Sequence, residues 1–112
     1  MTVEELKLLT DIKNAIDGIN EHLQGKRDFL LYQQNKTIRR AVERELEIIG
    51  EAVSKLNKIN SQIPISYKRL IIDLRNKVIH AYDNVNDIVI WKVVTKDIPV
   101  LLEEVKSLLP QA

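Results

Sequence analysis

Arg75, Asn76, His80 and Tyr82 stand close together in one stretch, and their types suggest proton transfer beside a phosphate. Histidine, with an ordinary pKa of about 6.5, gives and takes protons near neutrality. Arginine carries a fixed charge and a planar fork that matches phosphoryl oxygens. Together they suffice for metal-free cleavage of RNA. His80 would take the proton from a ribose 2′-hydroxyl, and Arg75 would stabilise the charge gathering on the attacked phosphate. Asn76 would hold His80 or bind a phosphate oxygen, and Tyr82 taken alone reads as a packing residue whose hydroxyl finds a partner. DNA lacks the 2′-hydroxyl, so this chemistry spares it. One histidine is few for an acid–base pair; two copies of His80 in a shared seam would supply both.

The stretch lies near the end of an apolar helical pattern. At about 100° per residue, Tyr67, Leu70, Ile71, Leu74 and Val78 form one stripe, read as the core face. Ile72 and Ile79 share a second face, Arg75 falls between the two, and Asn76 and His80 are spaced i, i+4 beside that second face. Two apolar faces on one helix exceed what a core needs. The second is read as a contact with another copy of the chain or with a partner.

The elements that must position this helix read as helices too. From Val3 to Leu23, the residues Leu9, Ile12, Ile16, Ile19 and Leu23 share a face, Thr2 and Glu5 form a capping box, and Gly25 is a stop. His22 reads as a surface residue. Phe29-Leu30-Leu31-Tyr32 is a short helical turn or packed connector, and Asn35 or Thr37 can cap a long helix over 36–59. Within it, Gly50 predicts the close approach of another backbone. Glu45 projects into the apolar stripe, where it either pairs with an arginine such as Arg75 or lies wet beyond the neighbouring helices. Pro64 ends that helix and Ser66 can cap the next. Asn84 or Asn86 can cap a last helix running from Ile88 through Trp91, Val94, Ile98, Leu101 and Val105 to Leu108. Pro99 either kinks this helix or starts a new one. No period-two pattern demands strands. The expected fold is all-α, an antiparallel four-helix bundle with a short extra helical turn.

Bulk properties narrow the function. A chain of 112 residues predicts a single domain over 1–112. A net charge of +1 speaks against long, non-specific coating of DNA, while a site for one or two phosphates stays open. Aromatic residues at 4% are too few for extended base stacking, so sequence readout should be loose. The absence of cysteine excludes disulfides and zinc–thiolate sites, and no histidine is spaced with partners for a metal. No apolar run reaches membrane-spanning length and the acidic N-terminus lacks a signal-peptide pattern, so a cytoplasmic protein without membrane contact is expected. No cofactor is expected.

Arg75-Asn76-Lys77-Val78-Ile79-His80-Ala81-Tyr82 resembles the R-N-x-x-x-H-x-Y signature of HEPN domains of the HepT-like type. Leu46-Glu47-Ile48-Ile49-Gly50-Glu51-Ala52 is similar to that family's L-x-I-I-G-E-A helix, and Pro64 to Arg69 to its proline-aromatic-basic lead-in. Trp91 and Asp97-Ile98-Pro99, with Leu101 or Leu102, resemble its last helix. Tyr67 departs, since many relatives carry tryptophan there. The resemblance implies an all-helical homodimer that acts as the toxin of a toxin–antitoxin pair. It implies RNA cleavage by the arginine and histidine at the dimer interface. It further implies a separately encoded minimal nucleotidyltransferase antitoxin that silences the toxin by attaching AMP to the tyrosine matching Tyr82. Two rivals remain at this point: a non-catalytic helical dimer that docks such a nucleotidyltransferase, and a structural dimer in which Ile72 and Ile79 are the only purpose of the second face.

Overall fold

A computed structural model describes residues 1–80 and 87–110, with the side chains of residues 77–80 outside that description. The described chain runs through α1 (Val3–His22), α2 (Phe29–Gln34), α3 (Lys36–Ile59), α4 (Lys68–His80) and α5 (Asp87–Lys92). A π-helical turn over Val93–Asp97 then leads into α6 (Ile98–Leu108). There is no strand among the described residues. The all-α expectation holds: α1, α3, α4 and the combined α5–α6 run are the main helices, and α2 is the short extra turn. The molecule measures 41 × 30 × 19 Å, its shortest extent close to two helix diameters of about 10 Å each.

Local chemistry sets the helix ends. Thr2 Oγ1 accepts the Glu5 N–H at 3.1 Å, and Glu5 Oε1 accepts the Thr2 N–H at 3.2 Å, which completes the capping box. After α1 the chain reverses through Gln24 and Gly25, both left-handed at φ 55° and 70°, and the Gly25 N–H bonds to the Asn20 carbonyl at 3.0 Å. Asp28 caps α2 through the Leu31 N–H, and Asn35 caps α3 through the Ile38 N–H. Ser66 does not cap α4. Its N–H and hydroxyl donate to Glu104, and the Tyr67 carbonyl, one residue later, accepts the first α4 bond from Ile71. Tyr67 itself is left-handed, at φ 62°.

α3 is the central helix, packed against α1 and α4, with Val42, Ile49, Val53 and Leu56 fully enclosed. Each such side chain contributes roughly 1.5–3 kcal/mol by leaving water. Phe29, Tyr32 and Trp91 cluster where α2 meets α5, with Trp91 5.9 Å from Phe29 and 5.2 Å from Tyr32 between ring centroids.

α4 is turned from its expected orientation. Ile71 and Leu74 are buried as predicted, but Tyr67 and Leu70 are 51% and 41% exposed. Ile72, expected on a separate face, is half-buried against the core, and Arg75 is half-buried too. The buried arc therefore swings toward Ile72 and Arg75. The physical reason is Gly50, which removes a side chain from α3 where Arg75 arrives. Val78 and Ile79 have side chains outside the described set, and Asn84 and Asn86 lie outside the described residues.

Of the two expected alternatives for Pro99, the start of a new helix at its first turn is the one found. The proline sits in the first turn of α6, after the π turn, where the Ile98 N–H reaches the Val93 carbonyl. The wider turn absorbs the donor that proline lacks.

Candidate functional site

The candidate site is built on the second half of α4. That helix carries Lys68, Arg69, Arg75 and Lys77 against a single acid, Asp73, so it is locally basic in a chain of net charge +1. A cluster of this kind raises the local concentration of phosphates. Lys68 is committed to structure, its Nζ donating to the Ser61 carbonyl at 2.9 Å and to Asn57 Oδ1 at 3.3 Å. Arg69 is exposed.

Arg75 is placed in detail. A Cβ built on Gly50 would come 2.4 Å from Arg75 Cβ and 3.0 Å from its Cγ and Cδ, so the arginine stem lies directly on the α3 backbone. The sequence predicts the close approach of another backbone at Gly50; what approaches is instead this side-chain stem. Arg75 Nη1 donates to Asn76 Oδ1 at 3.3 Å. Arg75 Nε is buried and has no hydrogen-bond partner among the described residues. Asn76 is exposed beside it. His80 is the last residue of α4, its side chain outside the described set, and Tyr82 lies outside the described residues.

Glu45 does not join Arg75, nor is it wet. Its Oε2 lies 3.2 Å from His22 Nε2 at the far end of α1, with the carboxylate pressed against Gly18. That pairing also corrects His22, which is a half-exposed partner across two helices and no mere surface residue. The signal was present in the sequence. A helical glycine in α1 opens a slot of the kind that a carboxylate in the apolar stripe of α3 needs. Glu51 faces solvent and pairs with Lys55 at 3.2 Å.

The surroundings of α5 contain two perturbed groups. Burial pushes the Glu43 carboxyl up from its ordinary range, against the pull of Arg40 at 3.6 Å. Burial likewise raises the Tyr32 phenol, whose hydroxyl has no partner among the described residues. The only phenylalanine, the only tryptophan and Tyr32 pack against one another at tilted angles, and Tyr67 is the exposed aromatic among the described residues. Among the described residues no three His, Asp or Glu converge as metal ligands, and no helix is long and apolar enough to cross a membrane.

A protein of Thermococcus cleftensis named "Probable ribonuclease HepT" is 40% identical over 103 residues, covering 83% of this chain and 84% of its own length. One of Methanocaldococcus jannaschii named "Putative RNase MJ1380" is 39% identical over 99 residues, covering 88% and 90%. Another, from Caldanaerobacter subterraneus subsp. tengcongensis and named "Putative RNase TTE0752", is 36% identical over 103 residues, covering 80% and 89%. No solved structure matches. The ribonuclease HepT-like family matches residues 12–108, which include all of α3 and α4 with Gly50, Arg75, Asn76 and His80, and the chain belongs to that family.

Proposed function

We propose that this protein is an endoribonuclease that cuts RNA without a metal ion and works as a homodimer. Family membership and the names of its relatives support a ribonuclease. The observation that carries the assignment of residues is Arg75, a guanidinium held at the α3–α4 seam beside an exposed Asn76 on a basic helix that ends at His80. His80 removes the 2′-hydroxyl proton, and the freed oxygen attacks the adjacent phosphorus. Arg75 stabilises the charge on the phosphoryl oxygens, and the 5′-oxygen leaves with a proton from the second copy's imidazole. The products are a 2′,3′-cyclic phosphate and a 5′-hydroxyl. Asn76 positions the guanidinium, to which it is already bonded. Ile79 and the part of Ile72 left outside the core form the face through which the copies meet.

In this reading the chain, one HEPN-like domain over 1–112, is the toxin of a toxin–antitoxin pair. A minimal nucleotidyltransferase silences it by adding AMP to Tyr82, because a bulky anion there competes for Arg75. The test is cleavage of mixed RNA in EDTA by wild type, Arg75→Ala and His80→Ala, with mass spectrometry of Tyr82. Cleavage by wild type and by neither variant is expected. Wild type that is unmodified at Tyr82 and leaves RNA intact would leave the docking dimer as the better account.

A further inference from the structure

We propose that Gly50 is a positioning residue for Arg75: the missing side chain lets the arginine stem lie on the α3 backbone, and this contact fixes where the guanidinium stands. The inference rests on the ribonuclease reading for its consequence in catalysis, but not for its geometry. Three observations carry it.

Gly50 is buried inside a helix of 24 residues, where glycine costs about 1 kcal/mol relative to alanine and has no turn to form. A cost of that kind persists when something needs the space. The atoms that occupy it belong to Arg75, and the nearest is Cβ, at 2.4 Å from a built Gly50 Cβ. A Cβ does not move with the rotamer. Adding a methyl at Gly50 therefore cannot be relieved by swinging the arginine tip; α4 must back away from α3. Gly18 is the opposite case, because the atom facing it most closely is the Glu45 carboxylate, the far end of a flexible side chain.

The second observation is the roll of α4, which half-buries both Ile72 and Arg75 while leaving Leu70 exposed. An arginine thus takes a place in the α3–α4 contact that an apolar stripe would otherwise fill. The third is Arg75 Nε, buried against that contact without a partner among the described residues. With the stem and Nε enclosed, the guanidinium is held from behind, and its Nη1 donates to Asn76 Oδ1.

The experiment measures proton exchange of the Arg75 Nε–H by ¹H–¹⁵N NMR, the signal being assigned by its loss in Arg75→Lys. Melting temperature, kcat and KM on a short RNA that wild type cuts are measured alongside. Wild type should show an Nε–H that exchanges at least tenfold more slowly than that of a free arginine. Gly50→Ala should lose the protection and lower kcat by about 100-fold with KM within about threefold, the penalty of roughly 1 Å of displacement. Gly18→Ala should retain both the protection and kcat. A folded Gly50→Ala with wild-type exchange and kcat would overturn the proposal, as would a wild-type Nε–H that exchanges freely. Should Gly50→Ala fail to fold, the wild-type exchange rate decides the matter. A protein that cuts no RNA yet protects Nε–H would sink the ribonuclease reading and leave the seating of Arg75 intact.

Discussion

Glu104 ties the last helix to the start of α4. Its carboxylate accepts the Ser66 N–H at 3.1 and 3.0 Å and the Ser66 hydroxyl at 2.8 Å. These bonds join residues 38 apart, in front of a Tyr67 that sits in a left-handed conformation. Glu104→Ala removes all three. A buried charge-assisted bond contributes about 1.5–3 kcal/mol, but Ser66 is exposed and water can replace the carboxylate, so the whole clasp is worth about 1–2 kcal/mol. For a domain of this size that is a fall in Tm of about 4–8 °C. Ser66→Ala removes only the hydroxyl bond and should cost about half as much; the double variant should cost no more than Glu104→Ala alone. Thermal melts by circular dichroism at neutral pH give these differences. Hydrogen exchange should show the amides at the start of α4 opening faster in Glu104→Ala, while those of α1 are unchanged. A Glu104→Ala protein melting within 1 °C of wild type would refute the clasp.

Four further outcomes are expected. Glu43 has a raised carboxyl pKa, so the folded chain holds that proton more tightly than the unfolded chain. Its contribution to stability is therefore greatest in acid and declines as pH rises from the ordinary carboxylate range through the raised value. Glu43→Gln should flatten that decline and raise Tm at neutral pH, which melts from pH 4 to 8 will check. Tyr32→Phe removes a hydroxyl without a partner among the described residues, so Tm should hold or rise by a degree or two; a fall of about 1 kcal/mol would mean the hydroxyl is bonded. The Thr2 N–H holds the Glu5 carboxyl below its ordinary range, so that contribution is full near neutrality and lost as pH falls through the lowered value. Glu5→Gln, which cannot ionise, should lower Tm near neutrality by more than it does in acid. Arg75→Lys keeps the charge but loses the planar fork, so it should lower kcat by about tenfold or more without changing Tm by more than a few degrees.

Helix ends were the most legible part of the fold, because they depend on neighbours in sequence. Thr2 with Glu5, and Asn35 before α3, carry their partners three residues away, and the structure uses both. The orientation of α4 was not legible in the same way. Two apolar arcs, one with Leu70 and one with Ile72, compete on that helix, and the choice is made by a glycine on another helix. Ser66 illustrates the same limit: its hydroxyl had a local role available, and a carboxylate from α6 took it. Glu45 showed that something must compensate a charge in an apolar stripe, but not that His22 would do so. At the candidate site, Arg75 and Gly50 were each conspicuous as residue types, while their contact required three dimensions.

The π turn at Val93–Asp97 places one residue more than a regular helix needs between Trp91 and Leu101. It works as a phase adjuster, letting Trp91 meet the rings of α2 while α6 presents a separately aligned edge to α1. Were the wide turn to close into ordinary α-helix with all its residues kept, everything beyond it would rotate by about 100°. Leu101 and Val105 would leave their seats, and Glu104 would swing away from Ser66. The geometry of one turn on the last helix thus reaches the arginine on α4 through the anchor at that helix's beginning.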